Sequence, residues 1–404
     1  MKHPRPLFLA LALAGGTCGF AAEPADFADA FAQGKFSVNA RLRYESVEQT
    51  GLRDAEAITL RTRLGFAPAA FHGWKFFLEG ENITAADGDS YSQSGINPGG
   101  AGRAVVADPE ITEINQAFIA FAPGKTGITV GRQRLVLDNA RFVGDVGWRQ
   151  NMQTYDAVVL QDKSLDQTTL TYAYLDRINR VFGDHHPQGY WKSSSHLFNA
   201  SYVGLPAGTL TGYVYLLDFR KPAYAANSCA TYGASLVGAT PVLSDLKFAY
   251  RAEAATQSDY GSSTLNYTAS YYALEAGLTA KPGSFTLGHE VLGSDHNVGF
   301  KTPLATLHAF NGWADLFLAT PAAGLRDTYA KATAALPADL ALTAFYHWYK
   351  TDATGVDLGT EFNAMLVRKF GKYFTGTVKY AEFRRDSLTV ADVKKVWVQV
   401  EFAY

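Results

Sequence analysis

Between Phe36 and Glu45 the chain alternates residue by residue. Phe36, Val38, Ala40, Leu42 and Tyr44 fall on one side, and Ser37, Asn39, Arg41, Arg43 and Glu45 on the other. Side chains of a strand alternate faces with period two, so this segment reads as a strand with one apolar and one polar face. Two facts narrow what such a strand can join. Its polar face carries guanidinium groups, and the same pattern recurs as far as the last residue. A sheet that is apolar outside and charged inside is the layout of a membrane barrel.

The recurrences are regular. Ile58, Leu60, Thr62, Leu64 and Phe66 oppose Thr59, Arg61, Arg63 and Gly65; Trp74, Phe76 and Leu78 oppose Lys75, Phe77 and Glu79. Further strands are expected at 111–122, 126–134, 153–162, 168–180, 195–205, 208–219, 228–239, 245–256, 265–280 and 283–294. After an irregular stretch come 326–336, 339–351, 356–370, 372–385 and 393–404. The total is about 18, an even number as single-chain bacterial barrels require. Tight turns such as Leu205-Pro206-Ala207-Gly208, Lys281-Pro282-Gly283, Leu336-Pro337-Ala338-Asp339 and Phe370-Gly371-Lys372 join some strands. Long Gly-, Asp- and Ser-rich segments at 85–110, 181–194 and 295–325 join others. Short turns on one side and long loops on the other, with a terminal Tyr404, argue against a soluble sandwich. The expected fold is all-β: a transmembrane antiparallel β-barrel of about 18 strands.

Hydropathy agrees in an indirect way. Mean hydropathy is near zero (−0.08) because lipid-facing and water-facing residues cancel in any window. Beyond the leader no run approaches the roughly 20 apolar residues of a spanning helix. Aromatic content is 13%, with 22 Tyr and 26 Phe, which suits the aromatic girdles of an outer-membrane barrel.

Lys2, His3 and Arg5, an apolar Leu7–Ala14 and the small-x-small Gly19-Phe20-Ala21 form a secretory signal, with cleavage expected after Ala21. The expected organisation is a signal peptide over 1–21 and a single barrel domain over 22–404, inserted in a bacterial outer membrane. Cys18 leaves with the leader, so Cys229 is the only cysteine of the mature chain and no intramolecular disulfide forms. Taking Lys2 and Arg5 from the 36 basic residues leaves 34 against 38 acidic ones, a net charge of about −4. Neither that balance nor any basic run suggests nucleic acid.

The charges matter by where they point. Arg41, Arg43, Arg61 and Arg63 lie on polar faces of adjacent strands, and Lys75, Lys247, Arg251 and Lys379 are further candidates for the lumen. An arginine facing lipid costs about 2–4 kcal/mol at the midplane, so the lumen is its expected address. There it has two readings. It can select a passing carboxylate or phosphate, or it can brace the wall by pairing with Glu45, Glu79, Glu81, Glu253 and Asp54.

The densest polar segment runs from Gly131 to Asp156. It contains Gly131-Arg132-Gln133-Arg134, Asp138, Arg141, Gly144, Gly147-Trp148-Arg149-Gln150 and Tyr155-Asp156. Arginine beside tryptophan offers a planar charge for a sugar carboxylate and a face for stacking. A loop folded into the barrel and holding itself together accounts for the same composition.

These motifs, with Leu60-Arg61-Thr62-Arg63-Leu64-Gly65 and Glu79-Gly80-Glu81-Asn82, resemble the alginate export family of outer-membrane porins. The resemblance implies an 18-stranded monomeric barrel with a basic pore conducting anionic polysaccharide. It also implies that Arg132 and Arg149 match motif positions near the constriction.

Catalytic patterns are weak. His289 and Glu290 fall on opposite faces of a strand, as do Ser195 and His196, and no glycine-rich phosphate loop precedes a helix. The expected function is passive passage of a hydrophilic anionic solute, such as a uronate-containing poly- or oligosaccharide, selected by lumen Arg and Lys. Candidate lining residues are Arg41, Arg43, Arg61, Arg63, Lys75, Arg132, Arg134, Trp148, Arg149, Lys247, Arg251 and Lys379. No cofactor is needed. Partners are the anionic saccharide or small solute, membrane lipid, the barrel-assembly machinery and, for a polymer, a periplasmic export partner. Alternatives are a general or neutral-sugar porin and, from another class, an outer-membrane β-barrel hydrolase.

Overall fold

The structure is a computed structural model describing residues 23–404; the expected leader lies outside the described residues. A six-residue helix α1 (Phe27–Ala32) leads into β1 (Lys35–Gln49), β2 (Ala55–Ala67), β3 (Trp74–Ala85), β4 (Ile111–Phe121), β5 (Thr126–Gln133) and β6 (Thr154–Asp162). Then follow β7 (Thr168–Asn179), β8 (Tyr190–Leu205), β9 (Gly208–Leu217), β10 (Cys229–Leu243), β11 (Leu246–Asp259), β12 (Thr268–Ala280) and β13 (Gly283–Leu292). A small hairpin, β14 (Ser294–Asp295) with β15 (Val298–Gly299), sits in a loop. The chain ends with β16 (Leu325–Leu336), β17 (Leu340–Lys350), β18 (Asp357–Phe370), β19 (Phe374–Arg385) and β20 (Val393–Ala403).

Apart from that hairpin, each strand pairs antiparallel with the next, and β20 pairs with β1. The sheet is therefore a closed barrel of 18 strands, and closure removes the edges that an open sheet would expose. Every expected strand is present. The connection expected at 181–194 is shorter, because β8 begins at Tyr190.

Burial follows the alternation. Phe36, Leu42, Ile58, Leu60, Leu64 and Leu78 stand exposed on the outside, where lipid covers them, while Arg43 and Arg61 are buried inside. The β1–β2 register sets Arg41 opposite Arg61 and Leu42 opposite Leu60, so guanidinium meets guanidinium inside and leucine meets leucine outside. Short connections join β2 to β3, β4 to β5, β6 to β7, β8 to β9, β10 to β11, β12 to β13, β16 to β17 and β18 to β19, at the end where both termini lie. This is the periplasmic end of an outer-membrane barrel, and the long loops mark the extracellular end. At the β16–β17 turn Ala338 and Asp339 both take left-handed backbone, which matches the twist of the hairpin.

Two long loops turn inward rather than outward. They are the β5–β6 connection (residues 134–153), which is mostly buried, and the β13–β16 connection (residues 293–324), which buries Phe300, Leu304, Ala305, His308 and residues 311–314. Their backbones meet: the Gly144 amide donates to the Leu304 carbonyl (2.8 Å) and the Thr306 amide to the Ala140 carbonyl (2.9 Å). Gly144 is required at that crossing, since a Cβ there would collide with Thr306.

Candidate functional site

The inward loop 134–153 spans the lumen. Its Trp148–Gln150 segment lies against β1, β2 and β20, and its Arg141–Phe142 segment lies against β9, β12 and β13. β1 and β10 are diametrically opposed in a ring of 18, so the loop touches both sides.

On the β1–β2 side the contacts are ionic. Arg41 Nε meets Glu401 Oε2 (3.1 Å), and Arg41 Nη1 donates to the carbonyls of Gly147 and Trp148 at 3.3 and 3.2 Å. Arg43 donates to the Trp148 carbonyl (2.6 Å) and to Gln399, approaches Asp108 (3.4 Å) and stacks over the Trp148 ring at 4.3 Å. Arg63 pairs with Glu81 and donates to the Gln150 carbonyl (3.1 Å). Arg61 reaches Asn39 and Glu401, and its buried Nε and Nη1 have no partner among the described residues. From the loop, Arg149 bridges Glu45 (3.0 Å) and Asp315 (3.0 Å).

The second loop adds a latch. Asp315 also takes Lys395 Nζ (2.8 Å) and His308 Nδ1 (2.6 Å), and His308 Nε2 lies 2.6 Å from Lys379 Nζ. A neutral imidazole fits both contacts, donating from Nδ1 and accepting at Nε2. Burial pushes His308 well below its ordinary value, despite the opposing pull of Asp315. Lys379 sits among three indoles, 4.0 Å from Trp148, 3.7 Å from Trp313 and 5.4 Å from Trp397. Trp148 and His308 stack at 4.9 Å with 8° between planes.

The whole network holds seven cationic side chains (Arg41, Arg43, Arg61, Arg63, Arg149, Lys379, Lys395) against five carboxylates (Glu45, Glu81, Asp108, Asp315, Glu401). The arginines and Lys395 each meet a carboxylate, as burial demands, whereas Lys379 lies against indoles and His308, and the formal sum is cationic.

The opposite wall grips by packing. Phe142 lies against Tyr213, Tyr271 and Phe300 at centroid distances of 5.2, 5.2 and 6.0 Å. One ion pair supports it: Arg141 with Glu290 (2.7 and 3.2 Å), joined by Asn311 and the Tyr271 hydroxyl. Arg251 pairs with Glu253 and Glu275 on the same side of the lumen.

The candidate residues thus separate. Arg41, Arg43, Arg61, Arg63, Trp148, Arg149 and Lys379 come together in one cluster. Arg134 pairs with Asp145 at the root of the loop, and Arg251 belongs to the far wall. Lys75 and Lys247 are exposed at the periplasmic mouth, with no ion pair among the described residues. Arg132 departs from the expected address. It follows the exposed Ile128 and Val130 on the outward side of β5, pairs with Asp156 (2.7 and 3.1 Å) and donates to the Ile114 carbonyl. The cause is that β4 and β5 pair only as far as Arg132, so the side chain fills a notch beside the unpaired part of β4. The motif glycine Gly131 belongs to the same place, where a Cβ would strike the Ala117 carbonyl. Of the carboxylates expected to brace the wall, Glu45, Glu81 and Glu253 take arginines. Glu79 instead accepts from the Asn115 and Gln116 side-chain amides.

Reading by alternation missed Asp108, His308, Trp313, Asp315 and Glu401. Glu401 had a signal, since it lies on the inward side of β20 opposite Arg41. The others sit in loops, where no period reports direction.

The model of the alginate export family matches residues 33–173, which includes the β1–β2 arginines and the whole crossing loop. No curated protein matches the chain. Among solved structures, Acinetobacter baumannii OccAB4 superposes with a TM-score of 0.73 at 13% identity, covering 92% of this chain and 98% of its own. Acinetobacter baumannii OccAB2 gives 0.72 at 15%, covering 93% and 99%. Pseudomonas aeruginosa OpdK, solved with vanillate, gives 0.71 at 12%, covering 93% and 99%. At these identities the likeness is one of fold. The chain is an integral outer-membrane β-barrel of the 18-stranded, porin-like kind, carrying the sequence pattern of the alginate export family over residues 33–173.

Proposed function

We propose that this barrel is a selective channel for small hydrophilic anions that carry a carboxylate, short uronates among them. The observation that carries this reading is the cationic excess around Trp148, where two inward loops meet the β1–β2 wall. A ring of fixed charge at a narrowing selects the sign of a permeant by electrostatics, without holding it tightly enough to block exit. Arg41 and Arg63, with 11% and 12% of their side chains exposed, are the residues best placed to meet a solute, and buried Arg61 adds its charge from behind them. A planar carboxylate suits a guanidinium fork. The loop that crosses the lumen favours short solutes over long polymers, since it divides the space a chain would thread. The vanillate named with Pseudomonas aeruginosa OpdK is itself a small carboxylate, which is consistent with this class of permeant for the fold.

Planar-bilayer reversal potentials in a salt gradient test the reading. The double variant R61Q/R63Q removes two positive charges and is expected to shift selectivity toward cations. E401Q removes a negative charge from the same cluster and is expected to shift it the other way. Identical reversal potentials in all three proteins overturn the proposal.

A further inference from the structure

The outer wall carries a second cationic feature, unrelated to the lumen. On β7 and β8 the register sets Arg177 opposite Lys192, and both project outward, since the alternate residues Ile178 and Trp191 are buried inside. Tyr190 stands two residues before Lys192 on the same side of β8. The Arg177 guanidinium lies 3.8 Å from its ring centroid, and Lys221 Nζ lies 4.6 Å from it and 3.4 Å from its hydroxyl. Like charges placed directly opposite one another destabilise a strand pair, so Arg177 and Lys192 face to face, with Lys221 on the same tyrosine as Arg177, call for an anion. None of the three is in an ion pair among the described residues. On the other side of Arg177 the register sets Asp156, which is engaged by Arg132, and Asp218 near Lys221 pairs with Arg220. Buried Arg177 Nε has no partner among them either. A cleft of about 280 Å³ adjoins Arg177, but Glu113 and Asp184 line it together with Arg132 and Arg180, so the anion is expected on the lipid side of the trio and not in the cleft. Burial without a counter-charge pushes Arg180 down to about 10.

Height identifies the source of the anion. Along the outward side of β8, Tyr202 and Phe198 are exposed near the periplasmic end, and Lys192 lies ten residues above Tyr202. At about 3.3 Å per residue and a strand tilt of about 45°, the rise is about 23 Å, close to the apolar band of about 25 Å. Lys192 and Arg177 therefore stand where the outer-leaflet headgroups begin.

We infer that Arg177, Lys192 and Lys221, arranged around Tyr190, form a binding site for a phosphomonoester group, presented by a lipid headgroup of the outer leaflet. Long cations near the interface reach such groups while their stems cover apolar wall. The test uses the full-length mature protein in detergent, with native mass spectrometry as the readout. The probes are bis-phosphorylated lipid A, its phosphate-free counterpart and inorganic phosphate. The wild type is expected to retain bis-phosphorylated lipid A. R177Q/K192Q/K221Q is expected to bind it about a hundredfold more weakly, the combined strength of three cations at an anionic surface. K125Q/K163Q/K372Q, which removes three charges from the periplasmic turns, is expected to bind as the wild type does. Heat-modifiable gel migration confirms that each barrel is folded, and R177Q alone serves if the triple variant is not. Equal retention of the phosphate-free lipid, or undiminished binding by the folded variants, overturns the site. Displacement of lipid A by inorganic phosphate at equal concentration overturns the lipid as its source.

Discussion

The two walls that hold the crossing loop use opposite physics. At the β1–β2 and β19–β20 wall, Trp148–Gln150 is held by guanidinium groups that donate to its carbonyls and by an ion-pair network with net positive charge. At the β9–β13 wall, Phe142 is packed among tyrosines, and the Arg141–Glu290 pair balances itself. Apolar burial carries no net charge and leaves little field, whereas the ionic wall leaves a potential in the space beside the loop. The difference teaches that anchoring and selectivity are separable here: one wall holds, and the other holds and also discriminates.

The strongest break of this comparison is to remove the bar itself. Replacing residues 137–152 by a short Gly-Ser link frees both walls, and single-channel conductance is expected to rise several-fold. An unchanged conductance means that the loop does not narrow the path. Next in size are changes confined to the packed wall. Phe142→Ala is expected to cost about 3–5 kcal/mol. Glu290→Gln, which strands the buried Arg141 charge, is expected to cost about 3–5 kcal/mol too. Urea unfolding of the reconstituted barrel reads both, and reversal potentials should stay near wild type.

A smaller effect separates the walls by pH. Burial lowers the His308 pKa in the folded protein, so the unfolded chain takes up a proton near 6.5 that the folded chain does not. Stability contributed by the latch is therefore full above about pH 6.5 and declines as pH falls, by up to about 1.4 kcal/mol per unit. Closure noise in single-channel records is expected to grow between about pH 7 and 5.5, and His308→Gln should abolish that dependence. A growth that persists in the variant assigns it to another group. The least effect belongs to Arg132→Gln. Because Arg132 sits in the outer notch against Asp156, the reversal potential is expected to stay put. A shift toward cations places it in the ion path after all.

Periodicity made the barrel legible. A strand must show its two faces in alternate residues, so Arg41, Arg43, Arg61 and Arg63 declared their side in advance, and their cross-strand neighbours followed from register. The same rule applied to β5 would have turned Arg132 outward with Ile128 and Val130. The family motif drew attention to the residue but carried no direction.

What the sequence determined by itself is therefore the closed sheet, its lipid face, its strand count and the inward address of the early arginines. All of these depend on a local period of two. What only the tertiary structure decided is how those arginines are spent. Asp108, His308 and Asp315 come from loops that have no period, and Glu401 joins Arg41 and Arg61 across hundreds of residues because the last strand closes on the first. The sign and size of the charge left over is a sum over contacts of that kind. No local pattern contains it.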